Sequence, residues 1–326
     1  MTRTSLLRLL VPALSVACAA TSRAQQSAPT ALNWNPLDSA HIASLRSGGH
    51  TVAMPNAVLW APRDSISLDS LRAVARRVDA GIAALREMIG GPWPWQRIGT
   101  RAIDYYLVPT RVISHASGKG AVFISIWRVH QGVAPLLHEG LHELLEPLPP
   151  FMPWEYTDSP TQRRVTDEQP LWFLEGFPDH LAQLGAAKAG IVEGDIFGVG
   201  GSDRVDRACA DRLKASPHRQ AITEAVGRPG RMQMLFTTQR TEVAPIFYPC
   251  SRSLVRHLVG VTGLAPAVAL MPAIQRGDFP AAVERAAGRP LEQLRAEWLA
   301  ALGLGEGGGT PRSLPAPEQT SRPGAR

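Results

Sequence analysis

Residues 135–145 read PLLHEGLHELL and carry the clearest structural signal in the chain. Four of the five leucines of this stretch recur at the spacing of one helical face; they are Leu137, Leu141, Leu144 and Leu145. Pro135 suits the first turn of a helix, where its missing N–H removes no hydrogen bond. Prolines from position 147 onward end the pattern. We therefore predict a short helix of about three turns that is anchored in the core by its leucine face.

This helix would present two histidines on one face. His138 and His142 are four residues apart, so both imidazoles can bind one Zn²⁺ at about 2.0–2.1 Å. Glu139 can then take a proton from a water at the open position of the metal, which is the general-base role in a metalloprotease. Gly140 costs about 1 kcal/mol in a helix, which is explained if the backbone lies close to a metal or a neighbouring element. The alternative is a surface helix with solvated histidines.

A catalytic zinc site needs a third protein ligand. The strongest candidate lies in LWFLEGFPDH, residues 171–180, where Glu175 and Asp179 share one helical face. An ordinary acidic helix face is the alternative for this pair, and three other residues are reserve ligands: His180, Asp167 and Glu168. A metzincin site is excluded, because positions 145 and 148 are both leucine rather than glycine and histidine.

The stretches HEGLH and LWFLEGFPDH together resemble the peptidase MA-like gluzincins, a superfamily of zinc metallopeptidases. The resemblance implies that Glu175 is the third zinc ligand. It also implies that Asp179 accepts a hydrogen bond from the outer nitrogen of a histidine ligand, His138, and so fixes the tautomer and orientation of that ring. Pro178 departs from the pattern of the superfamily, which has a small residue there.

A later stretch, FYPCSRSLVRHL at residues 247–258, resembles the tyrosine-bearing helix of the same superfamily. The resemblance implies that Tyr248 faces the zinc and stabilises the oxyanion of the tetrahedral intermediate. Pro249 departs from the usual pattern. The alternative is that Tyr248 is a half-buried aromatic residue with no catalytic role.

The resemblance implies an α+β, zincin-like metallopeptidase fold, with a small mixed sheet beside the active-site helix and a mainly helical C-terminal half. Residues 67–302 would form this domain. Local patterns predict further elements within it: a helix over 68–89, strands over 101–108 and 120–126, and helices over 251–261 and 279–302.

Three expectations concern the borders of this domain. The strand over 120–126 directly precedes the motif helix, so it would form the edge of the sheet and pair with an extended substrate; the alternative is an interior strand. Residues 25–66 would form an irregular N-terminal arm with one strand near 51–60. Residues 303–326 contain almost no large apolar side chain, and we expect a disordered tail.

Residues 1–24 have the pattern of an export signal. Arg3 and Arg8 supply positive charge around an apolar stretch that is shorter than the about 20 residues of a membrane-spanning helix, and no later segment approaches that length. We expect cleavage after Ala24 and a periplasmic or extracellular location. The alternative is a bacterial lipoprotein, because the SVA before Cys18 weakly resembles a lipobox and would leave Cys18 as a lipid anchor.

The charge and the cysteines limit the function further. The formal net charge is +6, and it falls to +3 without residues 1–24, which hold three arginines and no acidic residue. So small an excess does not favour nucleic acid binding. Cys209 and Cys250 then remain, and in an exported protein they can form one disulfide; the alternative is two separate buried thiols.

These observations favour a secreted zinc-dependent metallopeptidase that hydrolyses peptide bonds in a peptide or protein substrate. In this hypothesis His138, His142 and Glu175 bind zinc, and Glu139 activates the water and later protonates the leaving amine. The alternative is a binding protein of the cell envelope that keeps the zincin scaffold with weak or no catalysis, because function lies in the site rather than in the fold.

Overall fold

The computed structural model describes residues 36–93, 98–145, 170–191, 202–228 and 240–304. Over these ranges the protein has a five-stranded mixed sheet in its first half and helices in its second half. The α+β class and the helical C-terminal half are therefore confirmed. The predicted signal peptide, Cys18 and nearly all of the predicted tail lie outside the described residues. Within the described ranges, none of the helices is long and apolar enough to cross a membrane.

The described part begins with helix α1, Pro36–Gly48, and a hairpin of strands β1, His50–Ala53, and β2, Ala57–Ala61. The expectation of an irregular arm with one strand is wrong here, since both strands belong to the main sheet. A tight turn, closed by a hydrogen bond of 2.9 Å from Met54 N to Ala57 O, separates the two strands. The turn divides the one strand predicted near 51–60 into two. The apolar pattern did not show this, because β1 is short and half-exposed and is held by backbone hydrogen bonds to β2.

The remaining strands are β3, Ile103–Val108, β4, His115–Ala116, and β5, Ala121–Ser125. The sheet order is β1-β2-β3-β5-β4, in which β2, β3 and β5 run parallel and the two outer strands are antiparallel to their neighbours. The predicted strands over 101–108 and 120–126 are thus confirmed. The expectation that the second of them forms the edge is wrong, because the chain doubles back after β4 and places β4 on the outer side of β5.

Helix α2, Leu68–Ile89, matches its prediction. It begins at Ser67, whose hydroxyl accepts a hydrogen bond of 3.1 Å from the backbone N of Ser70, and it ends before Gly90. The other helices are α3, Ile126–His130; α4, Leu136–Leu145; α5, Leu171–Lys188; α6, Ser202–Ala215; α7, Arg219–Ala225; α8, Arg240–Thr262; α9, Leu264–Val268; α10, Met271–Arg276; α11, Phe279–Ala287; and α12, Leu291–Ala301.

Two helical predictions need correction. Helix α8 begins well before residue 251, because Pro245 and Pro249 suggest breaks in the sequence while the helix continues through both. The pattern over 279–302 is two helices, α11 and α12, because the chain turns at Gly288, whose φ of 68° ends α11. In α8, packing against neighbouring helices overrides the local signal. Between α11 and α12, Gly288 and Pro290 are themselves a local signal for the break.

Helix α4 packs against the sheet, α2 and α5. Its glycine is explained by this packing, because a Cβ at Gly140 would lie 2.2 Å from the hydroxyl of Tyr105 and 2.7 Å from the Cδ1 of Ile82. The Tyr105 hydroxyl occupies that space and donates a hydrogen bond of 3.1 Å to the carbonyl of Leu136, in the first turn of α4. The close neighbour is therefore the sheet, and it holds the motif helix at a fixed distance.

A disulfide joins Cys209 of α6 to Cys250 of α8, with their Cα atoms 4.8 Å apart. The predicted bridge is confirmed, and the alternative of two separate thiols is wrong. Both cysteines are fully buried where the two helices pack together.

Candidate metal centre

The site begins with α4, which forms as predicted and carries both histidines on one face. His138 and His142 are almost completely buried, with 3 % and 8 % of their surfaces exposed. Their Nε2 atoms lie 2.9 Å apart, and the two rings are nearly perpendicular at 76°. Since α-helical geometry stacks residues i and i+4, the two nitrogens point to one place above the helix.

Helix α5 brings a carboxylate to the same place. The Oε2 atom of Glu175 lies 3.4 Å from the Nε2 of His138 and 3.8 Å from the Nε2 of His142. The circle through these three atoms has a radius of about 2.0 Å, which matches zinc–nitrogen and zinc–oxygen distances of about 2.0–2.2 Å. Two imidazoles and a carboxylate are also a donor set that zinc takes in catalytic sites. The three residues therefore fit a zinc ion in both distance and chemistry.

Asp179 stands behind the first histidine. Its Oδ1 atom lies 2.8 Å from the Nδ1 of His138, so Nδ1 can donate a hydrogen bond to Asp179 while Nε2 faces Glu175. Pro178 does not displace Asp179, because α5 continues as one helix through it. Burial alone would lower the pKa of His138, but Asp179, Glu175 and Glu139 together raise it well above its ordinary value. The carboxylates thus favour a cation at this point.

Glu139 is buried like Asp179, and one of its carboxylate oxygens lies within 4.8 Å of one nitrogen of each histidine. Burial raises the pKa of Glu139 and the charge of Glu175 adds to this, while the neighbouring histidines lower it. The carboxylate of Glu139 is therefore a stronger base than an exposed glutamate.

Tyr248 is half-buried on α8, and its ring centre lies 5.4 Å from that of Phe247. Arg128 donates a hydrogen bond of 2.9 Å to the hydroxyl of Ser114. Burial lowers the pKa of Arg128, and the negative charge of Glu139 opposes this shift. The structure thus brings the two histidines and the three carboxylates together; that Tyr248 faces this cluster stays a prediction.

Sequence reasoning missed Glu143, the residue after the second histidine. Its Oε1 accepts hydrogen bonds from the Ser117 hydroxyl at 3.0 Å and the Gly118 N at 2.7 Å, and its Oε2 accepts one from the Gly120 N at 2.7 Å. Glu143 therefore ties α4 to the turn between β4 and β5. The local pattern did not signal this role, because Glu143 lies one turn after Glu139 and outside the leucine face of the helix; a buried glutamate nevertheless needs partners.

Sequence reasoning also missed His115 on the outer strand β4. Its Nε2 lies 3.2 Å from the Oδ1 of Asp38, and its Nδ1 lies 2.9 Å from the carbonyl of Ile113. Because both nitrogens face acceptors, this arrangement favours the cationic form of the ring. Burial alone would lower the pKa of His115, but these partners raise it. A positive charge on His115 lowers the pKa of Glu139. No local pattern links His115 to Asp38, which lies far away in sequence.

The reserve ligands do not join this cluster. His180 is buried beside Arg252 and Arg256 of α8. Burial and these two positive charges lower the pKa of His180 to about 4, so its surroundings disfavour a cation. Asp167 and Glu168 lie outside the described residues.

Comparison of the sequence with protein family models and with curated proteins gives no match. Two solved structures of a mutant M1 zinc metallopeptidase from Deinococcus radiodurans, one bound to a Tyr-Ser-Ala substrate, align with 14 % and 16 % identity. The alignments have TM-scores of 0.40 and 0.42, and they cover 81 % and 83 % of this chain but 52 % and 54 % of the other. The chain therefore spans about half the length of these structures, and the overall similarity is low.

Proposed function

We propose that the protein is a zinc-dependent metallopeptidase that hydrolyses peptide bonds. The observation that carries the proposal is the convergence of His138 Nε2, His142 Nε2 and Glu175 Oε2, from two helices, to separations of 2.9–3.8 Å. Two buried imidazoles and one partly buried carboxylate, with the carboxylate of Glu139 beside them, match the donor set of a catalytic zinc site. An acidic helix face or two solvated histidines would not require this arrangement.

Each residue of the site has a chemical role in the proposal. His138, His142 and Glu175 hold the zinc, which supplies Lewis-acid chemistry by polarising a carbonyl oxygen and making water more acidic. Glu139 accepts a proton from the attacking water and delivers it to the amine nitrogen that leaves. The raised pKa of Glu139, caused first by burial, suits a group that must both take and return a proton.

Two further residues act on the substrate and on the first histidine. Asp179 holds His138 with its Nε2 lone pair toward the zinc. The Tyr248 hydroxyl donates a hydrogen bond to the oxygen that becomes negative when water adds to the peptide carbonyl. The substrate class is a peptide or protein: β4, the outermost described strand at this end of the sheet, packs beside α4 and offers its edge to an extended chain.

Metal analysis and one substitution test the proposal together. Protein dialysed against metal-free buffer should hold about one zinc per chain. The Glu139→Gln variant should keep the zinc and lose about 10²–10⁴-fold in turnover of a peptide library. Glu284→Gln, an exposed substitution on α11, is the matched control and should change neither quantity.

The outcomes separate the hypotheses. Unchanged turnover in Glu139→Gln would remove Glu139 as the base. Zinc without turnover in the wild-type protein would favour the alternative of a binding protein on the same scaffold. A protein that holds no zinc, and takes up none when zinc is added, would refute the metal centre itself.

We further propose that the protein is exported to the periplasm or the extracellular space. The Cys209–Cys250 disulfide supports this location, since disulfides form and persist mainly in oxidising compartments. Mass spectrometry of the mature N-terminus tests the proposal: a terminus at Gln25 indicates cleavage after Ala24, and a lipid-modified Cys18 indicates the lipoprotein. An intact Met1 in the native host would contradict both.

A further inference from the structure

The segment of α8 that carries Tyr248 lacks two of the backbone hydrogen bonds of a regular α-helix. Pro249 has no backbone N–H, so the carbonyl of Pro245 lacks the donor that an α-helix normally supplies from four residues later. Pro245 removes the corresponding donor one turn earlier. Tyr248 lies between the two prolines, and therefore α8 alone holds this turn less firmly than an ordinary helical turn.

Helix α6 supplies the missing support. The Nη1 of Arg212 donates a hydrogen bond to the Pro245 carbonyl, the acceptor that Pro249 leaves without its helical donor. One turn earlier on α6, Cys209 forms the disulfide with Cys250. The two links lie on either side of Tyr248, three residues before it and two residues after it.

Further links continue the same ladder in both directions. Asp206 of α6 accepts a hydrogen bond of 2.6 Å from the Ser253 hydroxyl and pairs at 3.2 Å with the Nη2 of Arg256. Beyond the other end of α6, the Nε2 of His218 lies 2.8 Å from the Oε2 of Glu242. The linked residues of α8 rise in number as their partners in and after α6 fall in number. Helices α6 and α8 are therefore antiparallel, and the links lie along one side of α8.

We propose that α6 is a brace that sets the position of Tyr248, and that Arg212 and the Cys209–Cys250 bridge are positioning elements of the active site. The inference rests on the proposed function, in which the Tyr248 hydroxyl meets the oxyanion. A hydrogen-bond donor to a developing charge must be held closely, because a displacement of about 1 Å can cost about 10²-fold in rate. Because two prolines remove backbone donors of α8 on either side of the tyrosine, contacts from another helix are needed to hold the Tyr248 side chain in position.

A double-mutant cycle tests the brace. Tyr248→Phe should lower kcat about 10²-fold, as the loss of one oxyanion donor does. Arg212→Met should lower kcat about tenfold with little change in KM or zinc content, because a displaced donor loses part of that contribution. In the Tyr248→Phe background the same Arg212→Met change should cost less than about twofold. The Cys209→Ser/Cys250→Ser variant should behave in the same way.

The controls separate positioning from general stability. Arg207→Met changes another exposed arginine of α6 and should leave kcat unchanged, while Arg212→Lys keeps a donor and should restore most of the rate. Equal losses of kcat from Arg212→Met with and without the Tyr248 hydroxyl would overturn the proposal. If the cysteine variant fails to fold, the Arg212 cycle decides alone.

A spectroscopic measurement separates failure of the brace from failure of the proposed function. With 3-fluorotyrosine at all four tyrosines, the fluorine NMR signal of Tyr248 is assigned by its absence in Tyr248→Phe. Arg212→Met should shift or broaden this signal, and Arg207→Met should not. A wild-type protein with no peptidase activity would refute the proposed function. The fluorine signal would still test the brace, because an unchanged Tyr248 signal in Arg212→Met would overturn the proposal that α6 positions Tyr248.

Discussion

Replacing Gly176 with alanine should weaken the fold and the metal centre together. Gly176 follows Glu175 on α5, at the point where α5 passes closest to α8. A Cβ at this position would lie 2.5 Å from the carbonyl carbon of Ser251, 2.6 Å from its oxygen and 3.0 Å from the N of Arg252. These are backbone atoms, so no side-chain rotation can relieve the clash.

The size of the effect follows from these distances. Ordinary contact begins near 3.4 Å, so α5 and α8 must move apart locally by about 1 Å. Overpacking of this kind costs about 1–3 kcal/mol, and the upper part of this range, about 2–3 kcal/mol, applies because the clash is with backbone atoms. The higher helix propensity of alanine returns about 1 kcal/mol. We expect a net loss of about 1–2 kcal/mol in the free energy of unfolding, or about 2–8 °C in Tm. Because α5 carries Glu175, zinc affinity should fall as well.

Gly260→Ala is the matched control, because Gly260 lies in α8 and a Cβ added there would meet no atom within 4 Å. This change should raise stability by about 0.4–1 kcal/mol and leave zinc affinity unchanged. Thermal unfolding and a chelator competition assay measure the two quantities for both variants. If Gly176→Ala is as stable as the wild type, or gains stability like Gly260→Ala, the close approach of α5 and α8 is wrong.

Three other predictions follow from single contacts. Asp179→Asn should weaken zinc binding about 10–100-fold, because it loosens the orientation of His138; unchanged affinity in a chelator competition would contradict this. The raised pKa of His115 adds stability that is full below about pH 6.5 and is lost as the pH rises through the folded-state pKa. Asp38→Asn should therefore make the free energy of unfolding, measured with urea at acid and alkaline pH, depend less on pH. An unchanged pH profile would refute the pairing. Glu143→Gln should cost about 1–3 kcal/mol in the same assay, since an amide has one acceptor oxygen where two buried oxygens now accept; wild-type stability would contradict this.

Local patterns predicted the helices of the site because their causes are local. The leucine spacing of α4, the apolar spacing of α2, and the four-residue spacing of Glu175 and Asp179 each depend on neighbours within one or two turns. The strand β5 was predicted for the same reason, but its place inside the sheet was not. That place depends on β4, whose two residues have no apolar pattern of their own.

Contacts between distant residues were beyond such patterns. His115 pairs with Asp38 across the fold, Glu143 accepts from a turn on the sheet, and Arg212 donates to a carbonyl on α8. Each of these contacts needs two elements to pack in one particular register. The local sequence of neither element predicts the partner, because the same side chains would be solvated in any other arrangement.

Helical spacing predicts from the sequence that His138 shares a face with His142, and that Glu175 shares a face with Asp179. The separation of 2.8–3.8 Å between these two faces comes from the packing of the helices. The reason is physical: helical periodicity sets directions within an element, whereas the distance between elements is set by what packs between them. Here Gly140 allows α4 to lie against Tyr105 of the sheet, and Gly176 allows α5 to lie against Ser251 of α8.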